Sequence, residues 1–283
     1  MSNPRIIHGA GYITTIQGNG PLILGMPHIG TLIPPEVSVT LNDLGRAVPD
    51  TDWWLDKLYA EIAQRFDATV VMAGVSRFVI DVNRDPSGVS LYPGQNTTTL
   101  CPLTTFDNVP IYHNGQEPDK PEINRRQQAY FQPFHDALAT ALEKSREAHG
   151  YAVLYDCHSI RSECPHLFEG VLPTLNLGTN TGKSCATELQ QAAEFNMDKS
   201  GFSHVSNSRF KGGFITRHYG RPSQDLHALQ MEIAQSAYMQ EHAPWTFDAA
   251  KAGILQQAIS EIIAAILAAA AALPPSPSPH SHS

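Results

Sequence analysis

Leu22-Ile23-Leu24-Gly25-Met26-Pro27-His28-Ile29-Gly30 is the stretch that decides how this chain folds. Five residues without polar alternation read as a strand buried on both faces, the kind found in a parallel sheet between helices. A histidine then stands where the strand closes. Two further segments repeat the pattern. Ile80-Asp81-Val82-Asn83-Arg84 interrupts the apolar Phe78-Val79, and Tyr155-Asp156-Cys157-His158-Ser159 ends Ala152-Val153-Leu154. In α/β folds the carboxyl edge of the sheet is where ligands bind. Two histidines at strand ends, with an Asn-Arg pair nearby in the chain, point to a metal centre beside an anion-binding group. A hydrolase acting on a small acidic substrate fits that pattern.

Outward from this stretch, strand-like runs occur at 5–8, 12–16, 22–26, 69–73, 78–82, 152–155 and 174–177, with further candidates at 213–218 and 226–233. Helical periodicity lies between them. Thr51 is placed to N-cap a helix carrying Trp54, Leu55, Leu58, Tyr59, Ile62 and Phe66. A longer helix spans about 121–149, stopped by Gly150 in the C′ position. A last one carries Ile254, Leu255, Ala258, Ile259, Ile262, Ile263, Ile266 and Leu267 as an amphipathic stripe. Strands alternating with helices predict an α/β fold with a mixed, largely parallel sheet covered on both faces. No linker divides the chain, so 1–273 is expected to form a single metallohydrolase domain. Residues 274–283, alternating Pro, Ser and His, read as a disordered tail. The insert at 86–121 is irregular and rich in Gly, Pro, Asn and Thr, a length usually reserved for function or mobility.

Composition narrows the function classes. The 283 residues carry a formal net charge of −8 and no Lys/Arg block, which argues against nucleic acid as a partner. Attraction of an anionic substrate would then fall to individual arginines. The longest apolar stretch, 262–273, is short of the roughly 20 residues of a membrane span. The N-terminus lacks the apolar core of a signal peptide, so a cytoplasmic protein without a membrane partner is expected. Four scattered cysteines contain no C-x-x-C pair and read as buried free thiols.

A catalytic zinc site takes three protein ligands and keeps a position open for water. His28 and His158 are the nitrogen donors. Each also has a structural reading, His28 as a turn residue and His158 as a buried imidazole bonded to Asp156 or Ser159. The nearby carboxylates are Glu36 and Asp52. Asp52 is preferred, although a carboxylate opening a helix also suits the positive end of the macrodipole. Arg84 presents a fork that matches a carboxylate, or it pairs with Asp85 or Asp81 while Asn83 turns the chain. Arg77 and Arg217 raise the same choice, and flanking glycines around Arg217 allow close backbone approach. Glu232, inside Leu229-Gln230-Met231-Glu232-Ile233-Ala234, is too costly to bury without a metal, an arginine or a catalytic duty, unless that strand turns it to solvent. No G-x-S-x-G, P-loop or G-x-G-x-x-G occurs.

At these residues the chain resembles the N-formylglutamate amidohydrolase family, over about residues 5–270. The resemblance is carried by Pro27-His28-Ile29-Gly30-Thr31, Thr51-Asp52-Trp53-Trp54, the run from Ser76-Arg77 through Asp81-Val82-Asn83-Arg84 to Gly88, Leu91-Tyr92-Pro93-Gly94-Gln95, Asp156-Cys157-His158 and Phe210-Lys211-Gly212-Gly213 through Arg217. More widely, the chain is similar to zinc carboxypeptidases and to the aspartoacylase and succinylglutamate desuccinylase group. Those pair an H-x-x-E motif with D-x-N-R and D-x-H segments and a late glutamate. Here Thr31 stands where the H-x-x-E glutamate would be, so Asp52 is taken as the replacement ligand. The resemblance implies a three-layer phosphorylase/hydrolase-like α/β fold with a mixed central sheet flanked by helices. It also implies hydrolysis of the small molecule N-formyl-L-glutamate to glutamate and formate, as in one route of histidine degradation. In that reading His28, Asp52 and His158 hold a divalent metal, most simply Zn2+. Glu232 and Arg77 are catalytic, and Asn83, Arg84 and Arg217 bind substrate. The alternatives are a related N-acyl-amino-acid deacylase, a zinc carboxypeptidase, and a non-catalytic amino-acid-binding protein.

Overall fold

The structure, a computed structural model, describes residues 5–9, 12–88 and 98–274. The 275–283 part of the expected tail, and 89–97 of the irregular insert, lie outside the described residues. Eight strands form one mixed sheet: β1 (Arg5–Gly9), β2 (Ile13–Gln17), β3 (Leu22–Met26), β4 (Thr69–Ala73), β5 (Ala152–Ile160), β6 (Leu175–Gly178), β7 (His204–Ser206) and β8 (Leu226–Ala234). Their order is β1-β2-β4-β3-β5-β8-β6-β7. The central four, β4, β3, β5 and β8, run parallel, and antiparallel β2 and β6 flank them. From β3 the chain steps to β4 on one side and then crosses to β5 on the other. The crevice at the carboxyl ends of β3 and β5 is therefore a topological switch point, the place where open α/β sheets bind ligands.

The helices are α1 (Pro35–Ser38), α2 (Asp43–Arg46), α3 (Leu55–Arg65), α4 (Lys120–Arg126), α5 (Gln132–His149), α6 (Thr187–Lys199), α7 (Phe214–Tyr219) and α8 (Ala249–Ala271). They make the outer two of three layers. Side chains alternate across the sheet. Leu22, Leu24 and Met26 of β3, Val153, Tyr155 and Cys157 of β5, and Leu229, Met231 and Ile233 of β8 pack against α3, α6 and α8. Ile23, Ala152, Leu154 and Ala228 face α5 and α7 on the other side. The same alternation sends Asp156, His158, Gln230 and Glu232 to the α5/α7 side, on adjacent parallel strands.

Helix α8 is long and apolar enough to cross a bilayer by length and composition alone. Leu255, Ile259, Ile262, Ile263 and Ile266 are instead buried in the core, where each stabilises the fold by about 1.5–3 kcal/mol. Ile254, counted in its apolar stripe, is 67% exposed, because the buried face is narrower than the sequence periodicity implies. The four cysteines are buried free thiols.

Several elements differ from expectation, each for a local reason. Residues 78–82 form no strand but a chain of turns. Ser76 Oγ accepts from Phe78 N at 3.2 Å and Asp81 Oδ1 accepts from Asn83 N at 2.9 Å, so side chains take the place of a ladder. Their apolar residues are buried nonetheless, which is why the run looked like a strand. The strand expected at 213–218 is helix α7. Asn83 Oδ1 accepts from Ile215 N at 2.8 Å and caps its start, and a Cβ on Gly213 would fall 2.6 Å from the Asn83 side chain. The helix expected from Thr51 begins only at Leu55, after Trp54 in a left-handed conformation (φ 64°). Helices α4 and α5 are joined by a single π-helical stretch, Gln127–Phe131, and Gly150 ends α5 in the left-handed conformation (φ 82°).

Candidate metal centre and active site

The site is assembled from four pieces of chain at the carboxyl edge of β3, β5 and β8. His28 follows β3 by two residues. Its loop lies flat on the Gly74–Val75 backbone, where a Cβ on Gly30 would stand 2.3 Å from Val75 O. Asp52 N donates to His28 O at 3.0 Å, so the backbone carries Asp52 to the same place. Asp52 precedes α3 rather than sitting in its first turn, which removes the macrodipole account of its charge. His158 lies within β5, directly beside Glu232 of β8 in the parallel register.

His28, Asp52 and His158 are all buried, and one donor atom from each lies within 4.8 Å of the other two. His158 Nδ1 is 3.2 Å and His28 Nδ1 3.7 Å from Asp52 Oδ2. Ligand bonds of about 2.0–2.2 Å in a tetrahedron set donors roughly 3.4 Å apart, so these spacings suit one small cation. Glu36, the other carboxylate considered, is exposed on α1 and pairs with Arg125 at 3.4 Å.

The outer contacts orient each donor. His28 Nε2 donates to Asp81 Oδ1 at 2.6 Å, which leaves Nδ1 as a lone pair with no hydrogen-bond partner. His158 Nε2 lies 3.1 Å from Asp156 Oδ1 and 2.9 Å from Asn83 Nδ2. Asp156 Oδ1 also lacks a hydrogen bond. With a cation among the three donors, the His158 proton belongs on Nε2, the nitrogen beside that oxygen. An ion there would satisfy the orphaned buried His28 Nδ1, which is the fit a metal site requires. Arg77 Nη2 donates to Asp52 Oδ1 at 2.5 Å and Ser159 N to Asp52 Oδ2 at 3.2 Å. The His28-Asp52-His158 group is therefore able to hold a metal ion.

The electrostatics follow from burial against charge. Burial opposes ionisation of Asp52 and Asp81. Arg77 and the two imidazoles outweigh it for Asp52, and His28 and Arg84 for Asp81, holding both carboxyls far below the usual range. His158 is pushed well up because Asp156 and Asp52 outweigh its burial. Burial, opposed chiefly by His158 and reinforced by Asp52, raises Glu232 to about 7.

A cleft open to solvent lies over these groups. Glu232, Arg77, Asn83 and Arg84 line it together with both histidines. Arg84 donates to Thr98 Oγ1 at 2.9 Å and stands 3.4 Å from Asp81 Oδ2. Asn83 borders the cleft, but its Oδ1 accepts from Ile215 N at 2.8 Å and its Nδ2 donates to Asp156 Oδ2 at 3.5 Å, so it braces the site as well as lining it. Two expected site residues do not line the cleft: Asp52, which lies beneath it against His28 and His158, and Arg217. Arg217 lies on α7, and its Nε donates to Gly212 O at 2.9 Å.

Five lining residues went unnoticed in the sequence: Gln230, Thr98, Phe106, Leu167 and Arg209. Gln230 had a usable signal, since it shares a strand face with Glu232. Its Nε2 donates to Glu232 Oε2 at 3.3 Å while its Oε1 accepts from Gly213 N. Arg209 stands one residue before the segment that carried the resemblance. Phe106 and Leu167 come from loops that nothing local connects to the site.

The model of the family described as N-formylglutamate amidohydrolase matches residues 20–239. An N-formylglutamate deformylase of Pseudomonas putida is 44% identical over 253 residues, which is 89% of this chain and 94% of that protein. Another, from Pseudomonas aeruginosa, is 43% identical over the same shares. The crystal structure of N-formylglutamate amidohydrolase from Ralstonia eutropha JMP134 superposes with a TM-score of 0.74 at 25% identity, covering 90% of this chain and 97% of that one. By sequence, fold and the length of the match, this chain belongs to the N-formylglutamate amidohydrolase family.

Proposed function

We propose that this protein hydrolyses N-formyl-L-glutamate to L-glutamate and formate. The observation that carries the reading is the convergence of His28 Nδ1, His158 Nδ1 and Asp52 Oδ2 beneath Glu232, in a cleft that also holds arginines. Relatives named N-formylglutamate deformylase support the choice of substrate. The binding problem supports it too. A formyl group offers almost nothing to grip, so affinity must come from the dicarboxylate part of the substrate.

A divalent ion held by His28, Asp52 and His158, most simply zinc, would polarise the formyl carbonyl and acidify a water. The chain's own residues then do the rest. Asp81 and Asp156 fix the two imidazoles with Nδ1 inward. Arg77 anchors Asp52 through Nη2. Its buried Nε has no hydrogen-bond partner and suits the negative charge that develops on the carbonyl oxygen. Glu232 takes one proton from the attacking water as the water oxygen bonds to the formyl carbon. It returns that proton to the amide nitrogen as the carbon–nitrogen bond breaks. A carboxyl raised to about 7 is matched to both transfers near neutral pH. Gln230 steers the glutamate by donating to its Oε2. Arg84 receives a substrate carboxylate at the mouth of the site.

The test is release of formate by the purified protein given N-formyl-L-glutamate, N-acetyl-L-glutamate and N-succinyl-L-glutamate, with and without added zinc. Zinc-dependent release of formate, with the two longer acyl groups turned over at least tenfold more slowly, is expected. Preference for a longer acyl group would overturn the reading. So would tight glutamate binding with no turnover.

A further inference from the structure

Among the described residues, four apolar side chains line the cleft: Phe106, Ile160, Leu167 and Phe210. All four belong to one small cluster, separate from the two large cores on either side of the sheet. Phe106 and Ile160 are its buried members in the lining, whereas Leu167 and Phe210 are half-buried. We propose that Phe106, backed by Ile160, is the specificity-determining residue of the acyl pocket. Its ring stops the acyl group at the hydrogen of a formyl and leaves no room for a methyl. This rests on the reading that the substrate is N-formyl-L-glutamate and that Arg77 Nε meets the carbonyl oxygen.

Phe106 is placed by its contacts. Asp52 turns one oxygen to the ion donors and gives the other to Arg77 Nη2 at 2.5 Å. The Phe106 ring centroid lies 4.9 Å from the Cζ of that same guanidinium. The ring is thus two contacts from a donor of the ion site. Ile160 arrives by a second route. It stands two residues beyond His158 on β5, so it shares the face of His158 and lies roughly 7 Å further along the strand. One apolar group is therefore tied to Asp52 and the other to His158.

An amide is planar, and its acyl substituent sits beside the oxygen, opposite the nitrogen. With the oxygen at Arg77 Nε and the nitrogen held for protonation by Glu232, that substituent falls beside Arg77, where the ring lies. The ring has little freedom to yield. Phe106 N donates to Asp50 Oδ2 at 2.7 Å, and Asp50 is two residues before Asp52. Thr105 N donates to Val109 O at 2.9 Å and closes the turn that carries the ring. Arg161, next to Ile160, donates through Nη2 to Asp107 Oδ2 at 2.8 Å. The loop is pinned to the Asp52 segment and to the end of β5 at once. A close-packed wall held in this way resists the volume of one added methyl.

Steady-state hydrolysis of N-formyl-L-glutamate and N-acetyl-L-glutamate tests this in the wild type, Phe106→Ala, Phe106→Leu and Ile160→Ala. The wild type is expected to favour the formyl substrate by about 10–200-fold in kcat/KM, the discrimination a pocket achieves over one methylene. Phe106→Ala should lower that preference by roughly tenfold, through a gain in kcat/KM for the acetyl substrate itself. Phe106→Leu and Ile160→Ala should shift it less, in the same direction. A Phe106→Ala enzyme that loses both activities in parallel, keeping the wild-type ratio, overturns the proposal. So does a ratio that falls only because formyl turnover is lost. Should that variant not fold, Phe106→Leu decides by the same ratio: an unchanged preference overturns the proposal and a reduced one supports it. A wild type that releases no formate, or that prefers the acetyl substrate, would instead defeat the underlying reading of the substrate, which is a distinguishable result.

Discussion

Arg77 and Asp52 form a fully buried ion pair, with Nη2 2.5 Å from Oδ1, at the centre of the site. The pair leaves Oδ2 of the same carboxylate facing His28 and His158. Arg77 thus decides which oxygen of Asp52 is presented inward. Contacts that orient a ligand in this way are typically worth about 10–100-fold in metal affinity. Arg77→Met is expected to lower zinc affinity by that factor and to reduce kcat further, because its Nε is also lost. Zinc affinity from a chelator competition titration checks this. Unchanged affinity would show that Asp52 needs no such anchor.

Glu232 sits beside His158 across the β5–β8 ladder but is not one of the three converging donors. Glu232→Gln keeps the shape and removes the base. Zinc content by elemental analysis should stay at the wild-type level while kcat falls by about 10²–10⁴-fold, the usual worth of a positioned general base. A variant with near-normal turnover would take Glu232 out of the mechanism.

The site was legible in the sequence wherever a polar residue interrupted a buried strand. His158 and Glu232 could be found that way because a charged or polar group in a continuous apolar run needs a partner. The central strands β3, β5 and β8 were legible for the same reason. The run 78–82 was misread because burial and strand structure are different things. Its apolar residues are core, yet Ser76 and Asp81 bond their own backbone and roll the chain into turns. Helix α7 was misread because six residues are too few to show a helical period, and the cap that starts it comes from Asn83, 132 residues away in sequence. Arg209 and Phe106 reach the cleft from loops, where no periodicity exists to announce them.

Asp52 and Glu36 were the rival carboxylate ligands, and their surroundings now separate them. Asp52 is 1% exposed, and both of its oxygens are engaged within the site. Glu36 is exposed and meets Arg125. Asp52→Asn is expected to lose most bound zinc and most activity. Glu36→Gln is expected to change stability by less than about 0.5 kcal/mol and activity not at all. Full zinc occupancy in Asp52→Asn, measured after dialysis, would exclude Asp52 as a ligand.

His135 braces the turn that carries Asn83 and Arg84 from behind, accepting no charge to do so. Its Nε2 donates to Val82 O at 2.8 Å and its Nδ1 faces Tyr219 Oη at 3.0 Å. Burial, only partly offset by the Val82 carbonyl, lowers its pKa from 6.5 to about 4. The folded state therefore binds fewer protons than the unfolded state between those two values. Stability contributed by the neutral ring is complete above about pH 6.5 and is lost progressively as pH falls to about 4, by on the order of 3 kcal/mol. Urea unfolding of the wild type at pH 7 and pH 4.5 should show that loss. His135→Gln, which keeps a donor for Val82 O but cannot take up the proton, should show a shallower pH dependence. An identical dependence in wild type and variant would mean that protonation of other groups governs acid unfolding. In that case the brace behind Asn83 and Arg84 would be insensitive to pH over this range.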